Sequence, residues 1–337
     1  MVIPCKESLL WGSYFGMIIA MNAFKTPLKR TSHRHSGLDN LEPQLQFSLH
    51  DKAHCAMPGL FTSLTKSSKL EYDIEPYQHG DVTLSVKGPR MGVFEGRVLQ
   101  TLIATASKNK VIKDTDDGHC LYIPNIHLAE ICRELGLAYH FDSVTLIRSA
   151  LSKMHEVKLK YQYSTAERIS RSGNKVVNKK TLETGIIYKI ETNETDFSNK
   201  DGEIKTKIDS IGILLNRRIT DVIMSSSSTG YARIELNEAR FLKDPAWSIH
   251  QRLCAFIDPG KVSFPIGIDA LCEYAWGSPV GLTPEATRKR RSLVRKSLAE
   301  FLQIGWKVTE TKKKFVFERP ALAHRHFVTD GNEDSFL

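Results

Sequence analysis

The 337-residue chain lacks paired cysteines. Its six (Cys5, Cys55, Cys120, Cys132, Cys254 and Cys272) are scattered, and no C-x-x-C occurs. That excludes a disulfide scaffold and a zinc ribbon, and reads as buried free thiols in a reducing cytosol. His250 and Cys254 stand at i, i+4 with Cys272 nearby, but a fourth ligand and paired spacing are both wanting, so no metal is expected. Long apolar runs are also missing. The uncharged stretch Ser8 to Phe24 is short of the ~20 residues that a membrane span needs. As a signal peptide it fails on its flanks, because Glu7 follows Lys6 at once and the cleavage site is poor. A phosphate loop is excluded as well. Before Gly260-Lys261 the first glycine is replaced by Ala255, and Val262 stands where Ser or Thr is required. No cofactor and no enzymatic activity are therefore expected.

A fourth shortage is local. Between Thr287 and Lys314 there are ten Lys/Arg and two Glu, a surplus of eight. The whole chain has a surplus of only nine, so nearly all of the imbalance sits in this one stretch. A solvated helix would intersperse acids for solubility; here they are nearly absent.

The same stretch has a definite local design. Thr283 can cap a helix N-terminus and Pro284 suits the first helical position. Gly305 can take the left-handed conformation that stops the helix. Val294, Leu298, Phe301 and Ile304 form one apolar stripe at helical spacing. Opposite lie Arg288, Arg291, Ser292 and Arg295, flanked by Lys289 and Lys296, while Arg290 lies on the core-facing side. Trp306 and Val308, then Phe315 and Phe317, alternate with polar residues across the turn Lys312-Lys313-Lys314. Helix followed by hairpin, basic outside, reads as the recognition helix and wing of a winged-helix DNA reader.

Upstream the plan repeats. Residues 1–49 read as a disordered extension and linker, with translation starting at Met17, Met21 or later. Leu70, Tyr72 and Ile74, then Val82, Leu84 and Val86, alternate like strands. A helix from Gly92 carries Phe94, Val98, Leu99, Leu102, Ile103 and Ala106 inward. Asn125 can cap a second, ended by Gly136. Asp142 or Ser143 can cap a third, with Ile147, Leu151 and Met154 inward. Thr145, Arg148, Ser149 and Ser152 are this helix's candidate contacts. Val157 to Tyr163 then reads as a strand whose partner is Gly185 to Glu191. Between them the wing Ser164 to Thr184 offers Lys175, Lys179 and Lys180 to phosphates. In the second half, Asp244 caps and Pro245 opens a helix with Ile249, Leu253, Cys254, Phe256 and Ile257 inward. Asp269 starts another. The expected fold is α+β, two tandem winged helices over 50–203 and 204–320, joined through Ile204 to Leu236, with a mobile tail at 321–337.

The stretches His50 to Phe61 (H-D-K-A-H-C-A-M-P-G-L-F), His250 to Lys261 (H-Q-R-L-C-A-F-I-D-P-G-K), Ile268 to Trp276 (I-D-A-L-C-E-Y-A-W) and Arg288 to Leu298 (R-K-R-R-S-L-V-R-K-S-L), through Gly305 to Glu310, resemble replication protein C of IncQ-type broad-host-range plasmids. The resemblance runs from about His50 to Pro320. It implies a cytoplasmic, non-enzymatic initiator that binds directly repeated iterons in double-stranded origin DNA and promotes opening of adjacent A·T-rich DNA. Plasmid-encoded helicase and primase are the implied partners, and a homodimer is possible within the family. Two alternatives remain: a winged-helix transcriptional repressor, and an origin-nicking relaxase. His33-Arg34-His35 and His324-Arg325-His326 superficially suggest the metal histidines of the latter, but both pairs flank arginine, and no acidic cluster accompanies them.

Overall fold

A computed structural model of the chain describes residues 45–64, 70–72, 74–80, 82–116, 118–169, 175–198, 204–224, 231–279 and 281–321. The expectations for 1–44 and 322–337, both histidine pairs included, lie outside the described residues.

The chain enters through β1 (Phe47–Asp51) and α1 (Lys52–Ala56), then β2 (Phe61–Thr62), β3 (Tyr77–His79), β4 (Val82–Lys87) and β5 (Met91–Gly92). The long helix α2 (Val93–Asn109) follows. Its N-terminus is closed by Glu95, whose Oε2 accepts from the Gly92 amide at 2.8 Å. Next come β6 (Val111–Thr115), β7 (Gly118–Ile126), α3 (Leu128–Glu134) and α4 (Phe141–Glu156). Four long strands complete the first half: β8 (Lys158–Ile169), β9 (Lys175–Thr184), β10 (Ile187–Ser198) and β11 (Ile204–Leu215). The second half contains α5 (Arg217–Met224), β12 (Tyr231–Glu235), α6 (Leu236–Phe241), α7 (Asp244–Phe256), β13 (Ile266–Gly267), α8 (Ile268–Trp276), α9 (Pro284–Gln303), β14 (Lys307–Thr311) and β15 (Lys314–Glu318).

Two apolar clusters organise these elements. The first gathers Val98, Leu99, Leu102 and Ile103 of α2 with α3, α4, β4, β7, β8 and β11. The second gathers α7, α8, α9 and the sheet β13-β15-β14 around Trp247, Phe301, Trp306 and Phe317. They meet at α2. Val93 belongs to the second cluster, and Phe61 packs against both. At Gly96 the Trp247 ring lies so close that a Cβ there would stand 2.2 Å from Cη2. Close backbone approach is what glycine supplies in a helix it otherwise weakens. Arg252 of α7 adds a second tie. Buried, it lies 4.4 Å from the Tyr274 ring and 5.5 Å from that of Tyr77, which belongs to the first half.

The chain divides differently from the expected 50–203 and 204–320. Ile204 to Leu215, read as connector, is strand β11, paired with both β10 and β7. Ile211, Ile213 and Leu215, with Ile219 and Ile223 of α5, bury in the first cluster. The first module therefore runs through α5. Residues 47–49, assigned to the extension, belong to β1, which pairs antiparallel with β12. Pairing across this distance in sequence leaves no mark on local pattern.

Other corrections are local. The partner of β8 is β9, not Gly185 to Glu191, so most of the expected wing loop is ladder, from Leu159↔Thr184 to Ile169↔Lys175. Ile187 to Ser198 pairs with β11 instead. Asn125 does not cap α3: β7 continues through Ile126, which pairs with Ile211, and the N-cap is His127. The cap of α4 is His140, whose Nδ1 accepts from the Ser143 amide at 3.3 Å. Lys243 stands at the N-cap of α7, with Asp244 one position inside. Phe256 is half exposed rather than inward, lying against His79. Among the described residues, Leu70, Tyr72 and Ile74 form no strand beyond a bridge from Glu71 to Pro89. Leu70 is exposed, while the Tyr72 hydroxyl donates to the Leu60 carbonyl.

Two predictions follow from this architecture. A chain beginning at Leu45 is expected to melt like the full chain. One beginning at His50 loses Phe47 to Leu49 and the bond from the Leu236 amide to the Gln46 carbonyl, and should be less stable by about 2–4 kcal/mol. Chemical denaturation of the two truncations measures this.

The second concerns pH. Burial pushes the His250 imidazole down, but the neighbouring Cys254 sulfur and the Glu238 carboxylate, 2.9 Å away, outweigh it and raise it to about 9. That contribution is complete below the free imidazole's ~6.5 and is lost as pH rises toward 9. His50 goes the other way. Burial first, then His54, holds it down to about 3, so its contribution is complete above ~6.5 and lost as pH falls. Stability should peak near neutrality, and His250→Gln should flatten only the alkaline limb of a melting-temperature profile.

Candidate nucleic-acid interface

Helix α9 forms as its end signals dictate. The Thr283 hydroxyl accepts from the Ala286 amide at 3.2 Å, and Pro284 occupies the first turn. At the other end the Gly305 amide bonds to the Leu302 carbonyl and the Trp306 amide to that of Phe301. With Gly305 at φ +84°, this is a Schellman stop. Val294, Leu298 and Phe301 are buried, and Trp306, Phe315 and Phe317 close over them from the hairpin. Trp306 also ties the hairpin to α6, donating Nε1–H to the same Glu238 Oε2 that meets His250.

All six basic and hydroxyl candidates on α9 are exposed: Arg288, Lys289, Arg291, Ser292, Arg295 and Lys296. Arg290 is half-buried and stacks 5.4 Å from the Trp276 ring, so it packs, as its position on the core side implies. Two of the outward arginines hold acids. Arg291 donates Nε–H to Asp269 Oδ1 at 2.6 Å and Nη2–H to Oδ2 at 2.8 Å. Hydrogen bonding to that carboxylate raises the Arg291 guanidinium above its ordinary value. Arg295 donates from Nη1 to both Glu310 oxygens, at 3.0 and 3.2 Å, with its guanidinium 5.4 Å from the Phe315 ring. Among the described residues, Arg288, Lys289, Lys296, Lys312, Lys313 and Lys314 take no ion-pair partner. Sequence reading missed the acids. Glu310 was visible as one of two in the basic stretch, but nothing in its spacing showed that it faces Arg295.

The hairpin tip is unusual. Thr311 pairs with Lys314, so the loop has two residues, and both are left-handed: Lys312 at φ +51° and Lys313 at φ +64°. Two-residue loops with both φ positive are the preserve of Asn-Gly and its relatives. Placing two lysines there costs about 1–2 kcal/mol each, and sets two exposed cations at the tip beside Lys314.

The first module carries a second face. Thr145, Arg148, Ser149 and Ser152 are exposed along one side of α4, whose other side buries Ile147, Ala150, Leu151 and Met154. Ser152 is partly engaged, donating to Glu156 at 2.6 Å. On β9, Lys179 and Lys180 are exposed, opposite Ser164 and Tyr163. Lys175 lies at the far end of that ladder, opposite Ile169. The two faces are built on different cores, one on each cluster.

Among the described residues no group of three or more His, Cys, Asp or Glu is placed to hold a metal ion, and no helix is long and apolar enough to cross a membrane.

The profile of one family, replication protein C (RepC), matches residues 42–121 and 192–321, more than half of the chain. The chain belongs to this family of replication initiators. The match spans α7 to β15 and leaves out α3, α4, β8 and β9. No curated protein sequence matches the chain. Among solved structures, a selenomethionine crystal structure of domains 2 and 3 of RctB is similar at a TM-score of 0.50 and 10% identity, over 80% of this chain and 98% of that one. A second structure of RctB domains 2–3 (RctB-155-483) gives 0.48 and 10%, over 77% and 95%. The first likeness gives a shared arrangement of the fold.

Replacing Lys312-Lys313 by Asn-Gly should separate the roles of the tip. Relief of the left-handed strain should stabilise the hairpin by about 1–3 kcal/mol in denaturation. If both lysines meet phosphates, the same change should lower the salt slope of DNA binding by about two charges.

Proposed function

We propose that the chain initiates plasmid replication, in the IncQ manner, by binding direct repeats in double-stranded origin DNA and promoting the opening of adjacent A·T-rich DNA. In this reading the two modules are winged helices. α9 and α4 are their recognition helices, and the hairpins β14–β15 and β8–β9 are their wings. Membership of the replication protein C family supports origin DNA as the ligand. The observation that carries the reading is the outer side of α9, where a strongly basic face stands exposed next to a lysine-tipped hairpin.

Roles divide by chemistry. Arg288, Arg291 and Arg295 suit guanine edges, which offer two acceptors to a planar guanidinium. Lys289, Lys296 and Lys312 to Lys314 suit phosphates, which set affinity and its salt dependence. Thr145, Arg148, Ser149 and Ser152 read a second stretch, helped by Lys175, Lys179 and Lys180. The initiator acts in the cytoplasm without catalysis of its own. Opened DNA then passes to a plasmid-encoded helicase and primase, and a homodimer is compatible with this reading.

Tandem reading suits a direct repeat. One such module enters one major groove, and successive grooves on a face lie about 10–10.5 base pairs apart. A monomer using both should protect two successive major-groove segments of a single repeat in hydroxyl-radical footprinting. Protection of one groove, or symmetric protection that needs two chains, would refute the tandem reader. Supercoiled plasmid with Mg²⁺ or Mn²⁺ should stay supercoiled; relaxation would identify a nickase.

A further inference from the structure

The acids on the basic face stand out because each meets an arginine assigned to base reading, while the lysines assigned to phosphates have none. Asp269 lies in the first turn of α8, and Glu310 lies on β14, one residue before the end of the strand. The outer face of α9 is thus flanked on one side by a carboxylate from the preceding helix and on the other by one from the hairpin.

The geometry of the first pair is directional. Arg291 engages Asp269 through Nε and Nη2, one edge of the guanidinium. Its five N–H groups are fixed in a plane, so that pairing leaves the terminal edge, Nη1 with the second hydrogen of Nη2, free. A terminal edge held this way is the bidentate donor that guanine O6 and N7 accept. Arg295 spends only Nη1 on Glu310 and has Phe315 against its face, so Nε and Nη2 keep their hydrogens available. Both pairs are solvent-exposed, with about half of each arginine side chain accessible. Exposed pairs add little to folding stability. Their effect is on what the arginines can reach.

We propose that Asp269 and Glu310 are specificity residues of this DNA face: they orient Arg291 and Arg295 toward base edges and repel phosphates from them. The inference rests on the DNA-reading assignment of α9. On a matching sequence the free edge of each arginine finds its base while the carboxylate stays bound behind it. On a non-matching one the arginine cannot turn to a phosphate without abandoning its acid, and the acid's own charge opposes the backbone. Removing the carboxylates should therefore let both arginines act as general phosphate contacts.

The test uses full-length protein carrying Asp269→Asn, Glu310→Gln or both, and two short duplexes. One is the sequence that wild-type protein selects from a random pool; the other is its scrambled counterpart. Far-ultraviolet circular dichroism and melting confirm folding. The double variant should bind the scrambled duplex several-fold more tightly, with a salt slope steeper by about one to two charges. Its preference for the selected duplex should fall about tenfold or more, on the scale of one lost bidentate readout. Asp269→Glu should restore part of that preference. An unchanged preference, or equal weakening on both duplexes, overturns the inference while leaving α9 as the interface. If Arg291→Ala and Arg295→Ala leave binding to both duplexes unchanged, the assignment of α9 itself fails, and the inference with it.

Discussion

The arrangement depends on how α2 is buried. A helix packed on one face would carry a polar stripe, but α2 hides Val98, Leu99, Leu102 and Ile103 in one core and Val93 and Gly96 against another. The absence of a side chain at Gly96 lets the Trp247 ring of α7 lie on the helix backbone, and that contact seats the second module on the first. Its neighbours reinforce it: Arg97 donates to the Leu242 carbonyl just before α7, and Lys153 of α4 reaches Glu95 at 2.6 Å. One helix therefore touches the supports of both candidate recognition helices. Motion of α7 against α2 would have to break a buried aromatic contact, so the spacing between the α4 and α9 faces is a property of the fold rather than of a linker.

That constraint bears on the sparing use of charge. A reader whose modules hang on a flexible linker gains affinity through each module separately. Where the modules are held together, one strongly basic face suffices to anchor the chain, and the other can be nearly neutral and discriminating. The composition fits this division, with most of the surplus charge between Thr287 and Lys314 and only Arg148 among the four α4 candidates. The lysines at the hairpin tip accept backbone strain to stand there, which a merely solvated turn would not require.

What could be read from the sequence was what is decided locally. The cap at Thr283, the stop at Gly305, the buried stripe of α9 and the core-side position of Arg290 are set by residues within a turn or two of one another, and all were legible. So was the exposed side of α4. The strands fared worse for a physical reason. Leu159 alternates correctly, but nothing nearby says that Thr184, rather than a residue beyond Gly185, will lie opposite. Ile211, Ile213 and Leu215 lie near the end of a polar stretch that reads as a linker until β7 is brought alongside. The join between β1 and β12 is more distant still. Caps missed by one or two residues, at His140 and Lys243, reflect competition among several adequate capping residues in a row.

The acids on the α9 face belong to the same class of non-local facts, and they change what the charge count means. A surplus of eight, taken as a field, describes a surface that attracts any nucleic acid. Taken residue by residue, the surface is divided: unpaired lysines and Arg288 supply that attraction, while Arg291 and Arg295 are held back by carboxylates from α8 and β14. Specificity is a difference between two affinities, and lowering the wrong one serves as well as raising the right one. An initiator must find a few sites among a vast excess of other DNA, and occupancy then depends on that difference more than on total affinity. Placing two of the few acids of the stretch and its surroundings directly on the arginines proposed to read bases is an arrangement suited to that problem, and it costs the fold little, because all four side chains remain partly in solvent.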